Sequence, residues 1–216
     1  APVALSPIVM KAVALGVNEQ QIETFLLPVQ ANNHPIYNPS LDYSVYLSQP
    51  FFFVLFQVLV LLITVYAVGS EIKFGTAGQW LQAAGGDITV AVTGKLLPYT
   101  LIFSLIGILG NFVMFGILHI PFQGSWVLLN VMTVLFIIAT QALALFIFSL
   151  FPAVAIIISI VSMVGSLGAT LSGVTFPVTN MYPLVRDASY LFPVRHFTEM
   201  MQNMLYGGSG FIYLWP

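Results

Sequence analysis

Apolar residues run almost unbroken through two long segments of this 216-residue chain. No Asp, Glu, Lys or Arg lies between Asp42 and Glu71, and none between Lys95 and Arg186. A helix needs about 20 mainly apolar residues to cross the hydrocarbon of a bilayer. The first segment therefore holds one span, over 51–69. The second holds three, over 96–118, 126–150 and 154–173. In the first span Gln57 interrupts a string of Leu, Ile, Val and Phe, each of which favours insertion by roughly 0.3–0.6 kcal/mol. The run from His119 through Pro121 to Ser125 reads as the turn between the second and third spans. Pro152 ends the third, because its ring has no N–H and clashes with the preceding turn. The pattern predicts an all-α integral membrane protein, a polytopic helical bundle with four spans in this chain. Four is even, which puts both ends of the chain on one side of the membrane.

The polar stretches have their own character. Residues 1–48 mix Pro, Asn and Gln around a short predicted helix near 18–27. They lack the basic start of a signal peptide and read as the tail of something longer. In 70–95, Phe74, Ala77 and Leu81 recur at helical spacing, and Trp80 suits a membrane interface. Gly85-Gly86 should stop that helix and Asp87 should cap the next. Beyond the fourth span, Pro177, Pro183 and Pro193 cut 174–216 into pieces too short to cross, so re-entrant or interfacial helices are expected there. Lys73 and Lys95 on one face stand against Lys11, Arg186 and Arg195 on the other, a slight lean that Asp187 beside Arg186 partly offsets. Charge bias therefore does not orient the bundle.

Composition removes most functional classes. Charged residues make up 6% of the chain and mean hydropathy is +0.99, whereas soluble domains carry about 25% charge. A soluble enzyme, a nucleic-acid binder, a disordered tail and a disulfide-stapled domain are all excluded. Without cysteine there is no thiol catalysis. Gly94-Lys95 looks like the end of a phosphate loop, but Thr89 stands where that motif wants Gly and Leu96 where it wants Ser or Thr. Hence no ATP site is expected in this chain. His196 and Glu199 share a helical face but have too few neighbours for a metal site, and none is expected. Spans two to four contain serines but no His, Asp, Glu or Lys. Neither an intramembrane hydrolase nor a proton-coupled pump fits, so any transport draws its energy from another subunit.

The fourth span is rich in small residues: Ser159, Ser162, Gly165, Ser166, Ala169 and Thr170. In lipid such residues let helix backbones approach closely. They serve packing, or the hydroxyls of Ser159, Ser162, Ser166 and Thr170, with Gln57, line a dimer seam or substrate path. Gln57, Asn111, Asn130 and Gln141 need hydrogen-bond partners inside the bundle.

The run Glu71-Ile-Lys-Phe-Gly75-Thr76-Ala-Gly-Gln-Trp-Leu81, followed by Gly94-Lys95-Leu-Leu-Pro98-Tyr99, resembles the membrane subunits of ABC-2-type exporters. So does the tail, with Ser172-Gly173-Val-Thr-Phe176-Pro177 and Tyr190-Leu-Phe-Pro193-Val-Arg195-His-Phe-Thr-Glu199. Tyr37-Asn38-Pro39 through Tyr43 is similar to the end of that family's extracytoplasmic domain. The resemblance implies that 1–48 closes that domain and that 49–216 is a transmembrane domain from the centre of a six-span permease. It also implies a bacterial cytoplasmic (inner) membrane location. The implied roles follow. Glu71, Phe74, Gly75, Thr76, Leu81 and Lys95 belong to a cytoplasmic coupling loop over 70–95, gripped by a separate ABC ATPase that holds the ATP and magnesium. Phe176, Pro177, Pro193, Arg195 and Glu199 belong to an extracytoplasmic re-entrant segment over 174–216. A second permease half, identical or not, meets this one across spans one and four. Apolar walls with small hydroxyls suit a hydrophobic or amphipathic cargo, drug or lipid-like. The alternatives are a passive channel or lipid-scrambling bundle, or a membrane assembly scaffold, none with an ATPase.

Overall fold

In the computed structural model, residues 43–120, 122, 124–151, 154–174 and 178–206 are described. The short helix expected near 18–27 lies outside them, as does most of 1–48.

Among the described residues the regular structure is all helix, joined by short turns, as lipid requires: with no water to bond exposed amides, an open chain must satisfy its backbone within helices. Helix α1 (Tyr43–Lys73) is followed by the short α2 (Ala77–Ala83) and by α3 (Ile88–Asn111). A π-helical turn, Phe112–Ile117, carries α3 onward. Then come α4 (Trp126–Leu150), α5 (Val154–Leu171), α6 (Pro183–Ser189) and α7 (Pro193–Tyr206). Three helices are long and apolar enough to cross a membrane: Leu47–Lys73, Ile88–Ile117 and Trp126–Leu150. The fourth apolar helix, α5, has 18 residues and rises about 27 Å.

Helices extend past the predicted bounds where caps and not apolarity decide the ends. The first begins at Tyr43 and keeps Pro50 inside it. At 31 residues it is about 46 Å long, so it overshoots the hydrocarbon and carries Glu71 beyond the span. The second begins at Ile88, because Asp87 Oδ1 accepts from the Thr89 N–H at 2.8 Å. Lys95 is thus two turns inside a helix. Bonds from the Thr89 hydroxyl and amide hold the Asp87 carboxyl below its ordinary pKa. Helix α4 stops where Phe151 turns extended, just before Pro152.

The loop helix expected across Phe74, Ala77 and Leu81 is not continuous. Helix α1 stops at Lys73, Phe74 falls in a turn, and Gly75 takes φ +69°, a conformation costly to residues with a Cβ.

Helix α1 is the hub, packed against α5, α4, α3 and α7. One cluster joins α1, α3, α4 and α7 through Phe53, Phe103, Phe136 and Phe197. The Phe197 ring lies 4.3 Å from Phe53 and 4.8 Å from Phe136, centroid to centroid. A second cluster joins α1, α4 and α5 through Leu61, Val65, Ala144, Ile157 and Val161. In lipid such packing acts through dispersion and close fit and not through water release. Truncating Phe197 to Ala, which removes the ring packed against both Phe53 and Phe136, should cost about 3–5 kcal/mol by the usual scale for buried aromatics. A thermal shift in detergent should register it; an unmoved melting temperature would show that α7 is not part of the core.

Helix α3 is the most exposed of the long helices, with Leu101, Leu105, Leu109 and Phe112 all more than half exposed. Close approach happens on its other face. A Cβ at Gly107 would come within 2.6 Å of the Thr133 methyl, and one at Gly110 within 2.6 Å of the Phe52 ring. Beside them the Asn111 amide donates to Asn130 Oδ1 at 3.2 Å and Thr133 Oγ1 at 2.9 Å. The Thr100 hydroxyl donates to Gln141 Oε1 at 2.8 Å.

Candidate functional site

The segment from Glu71 to Lys95 is built from two helix stops of the same kind. At the first, the Thr76 N–H reaches back to the Glu71 carbonyl at 2.9 Å and the Gly75 N–H to Ile72 at 3.2 Å. At the second, the Gly86 N–H bonds the Leu81 carbonyl at 2.9 Å and the Gly85 N–H bonds Gln82 at 3.0 Å. Both are Schellman stops, with a left-handed glycine after the helix; Gly85 has φ +70° and Gly86 +85°. The spacing Glu71–Gly75–Thr76 is therefore structural as well as chemical: the carbonyl at 71 is the one that a six-to-one stop at Gly75 must fill.

The Glu71 side chain closes the loop at its base. The Thr76 hydroxyl donates to Oε2, and the Lys95 ammonium donates to Oε1. Lys95 also lies over the Trp80 ring, 5.5 Å from its centroid, a cation–π contact. One half-buried carboxylate thus ties α1, α2 and α3 together. Leu81 is half-buried, whereas Phe74 is 67% exposed with Lys73 Nζ 5.6 Å from its ring. The structure thus gathers Glu71, Thr76 and Lys95 and turns Phe74 outward. Trp80 completes the cluster, a role its spacing does not announce, since only the fold sets a lysine 15 residues away above it.

The predicted seam residues divide between two faces. Ser159, Ser162, Ser166 and Thr170 form an exposed stripe on α5, the serines donating to their own helix at Ala155, Ile158 and Met163. Gly165 and Gly168 point the other way, where a Cβ would come within 2.9 Å of Val58 and 2.6 Å of Gln57 Nε2. Gln57 itself is fully buried, and its Oε1 accepts from the Val194 N–H of α7 at 2.9 Å. It does not share the exposed face of the hydroxyls, because α1 turns it inward between α5 and α7.

Of the tail residues, Phe176 and Pro177 lie outside the described residues. Pro193 opens α7, and Glu199 is exposed. Arg195 is 3% exposed. It donates to the Arg186 carbonyl at 2.8 Å and to the Ser189 hydroxyl, with its guanidinium 3.8 Å from the Tyr190 ring centroid. It thereby closes the C-terminal end of α6, where carbonyls lack helical partners and favour a cation. His196 bonds the Tyr190 carbonyl at 2.9 Å. No group of three His, Asp or Glu among the described residues could hold a metal.

The family model described as ABC-2 family transporter protein matches residues 7–216. The chain is 25% identical to Probable multidrug ABC transporter permease YbhS of Escherichia coli (strain K12) over 72% of its length and 41% of that protein's. It is 25% identical to Probable multidrug ABC transporter permease YbhR of the same strain, over 83% of this chain and 48% of the relative. It is also 29% identical to Inner membrane transport permease YhhJ over 47% of this chain and 27% of the relative. The chain thus spans less than half the length of these curated relatives. No solved structure matches it at a significant level. With four apolar helices and a family match across all but its first six residues, this polytopic membrane chain belongs to the ABC-2 family of transporter proteins.

Proposed function

We propose that this chain is the membrane-crossing part of an ATP-driven exporter permease, and that 70–95 is the handle by which a separate ABC ATPase moves it. The observation that carries this reading is the Glu71–Thr76–Lys95 cluster. A loop meant to transmit force must be braced where it meets the spans, and a single carboxylate braces α1, α2 and α3 at once. Around that brace, Phe74, Gln79, Gln82 and Ile88 are exposed and free to meet a partner surface. A partner shifts a conformational equilibrium only through different affinities for the two states, so the ATPase must grip this loop differently with and without ATP. ATP and magnesium reside on that partner.

Relatives described as multidrug permeases support a hydrophobic or amphipathic cargo, and the absence of Asp, Glu, Lys and Arg over 96–150 agrees with it. The hydroxyl stripe of α5 is the candidate seam with a second permease half, identical or homologous. The relatives, among them an inner membrane permease of E. coli, support a bacterial cytoplasmic membrane. Extraction of the whole protein in mild detergent should retain an ABC ATPase through washing, and a cysteine at Gln79 should react only with reagents that reach the cytosol. Purification free of any ATPase, together with labelling of Gln79→Cys from outside intact cells, would favour a passive channel or a scaffold.

A further inference from the structure

Helix α7 begins with a problem that its own sequence does not solve. Its first residue, Pro193, has no N–H, and the residue before it, Phe192, carries no acceptor with which to cap the helix. The Val194 N–H is then a buried orphan donor of the kind that a capping side chain normally satisfies. The acceptor comes instead from 137 residues earlier: Gln57 Oε1, near the middle of α1. Gly168 of α5 makes room for that side chain, since a Cβ there would also come within 3.1 Å of the Phe192 ring. An apolar residue at 57 would suit the lipid-embedded core better, for the Gln57 Nε2 is buried with no hydrogen-bond partner. A carboxamide held at such a cost in desolvation calls for a role that a leucine cannot fill.

We propose that Gln57 is a positioning residue that ties the first turn of α7 to the middle of α1, so that α7 moves with α1 when the 70–95 loop is displaced. The role rests on the coupling reading of that loop. Helix α1 is continuous from this contact down to Glu71, so a displacement of its lower end travels along one rigid rod. Elsewhere α7 meets the bundle through apolar contacts of Phe197 and Met201, which can slide. The Gln57 bond sets register and direction, and it is the point at which the tail follows the span.

The test uses the whole permease with its ATPase in vesicles, carrying single cysteines at Gln79 in α2 and at Asn203 in α7; the 216 residues contain no native cysteine to compete. Alkylation rates are compared without nucleotide and after trapping with ATP and vanadate. Coupling of ordinary strength predicts that both sites change by about fivefold or more. Gln57→Leu should keep the change at Gln79→Cys and lose it at Asn203→Cys. Gln57→Glu, which retains an acceptor oxygen at the same reach, should restore it. If Gln57→Leu fails to assemble, Gly168→Ala tests the same contact by pushing the carboxamide aside, and should also silence the α7 site. An α7 response in Gln57→Leu or Gly168→Ala equal to that of the unsubstituted protein overturns the role. Absence of any response at Gln79→Cys in the unsubstituted protein is a different result: it overturns the coupling reading, and this role with it.

Discussion

Gly75→Pro is expected to leave the protein inserted in the membrane while lowering export and permease-stimulated ATP hydrolysis by about tenfold or more, a loss within the usual range of coupling energies. Gly75 holds φ +69° and its N–H bonds the Ile72 carbonyl. Proline is locked near −65° and has no N–H, so the stop cannot form and Thr76 leaves the Glu71 carboxylate. Space is not the issue, because nothing lies within 4 Å of where a Cβ would stand. Gly75→Ala should therefore show a milder loss, set by the roughly 1–2 kcal/mol that a left-handed conformation costs an L-residue. Leu81→Asp attacks the other end of α2 by placing a charge on a half-buried face, and should uncouple hydrolysis from export as well. Reconstituted vesicles that report both rates decide the matter. Full export by Gly75→Pro and Leu81→Asp together would remove the loop from the mechanism.

Breaking the Glu71–Lys95 pair should have an effect of similar size. Removing one partner leaves the other charge half-buried and uncompensated, which costs more than the pair contributes. Glu71→Gln strands Lys95 over Trp80, and Lys95→Met strands the carboxylate against the Thr76 hydroxyl alone. Each single change should reduce ATP-dependent export about fivefold or more. The exchange Glu71→Lys with Lys95→Glu should recover part of the loss, because the attraction is symmetric under exchange. Recovery should stay incomplete, since Thr76 then faces an ammonium that cannot accept its proton. A double mutant no better than the worse single mutant would show that the charges act separately, and the brace would then lie elsewhere in the loop.

The membrane character of this chain was legible because it is a property of composition along one dimension. Long runs free of charge read as helices in lipid, and the charged residues bound the apolar spans, though not the helices that carry them. The Gly85-Gly86 stop and the Asp87 cap were also local, and both were legible. What chain periodicity missed was set by cap geometry: Phe74 and Leu81 have helical spacing, yet the stop at Gly75 places them on opposite sides of a break. The same limit applies to α5, whose small residues look like one stripe until the packing of α1 selects the glycines and leaves the hydroxyls outside.

Contacts between distant residues were decided only by the tertiary structure. That Lys95 meets Glu71, that Trp80 lies beneath that lysine, and that Gln57 caps a helix beginning at Pro193 depend on how the helices pack. Such pairings leave no local trace, because a polar group in lipid takes whichever partner the fold brings within reach. The sequence by itself determined that this chain crosses a membrane as helices and where the apolar spans lie, since both follow from hydropathy along the chain. The packing determined which polar side chains meet, because a buried polar group takes the partner that the fold brings within reach.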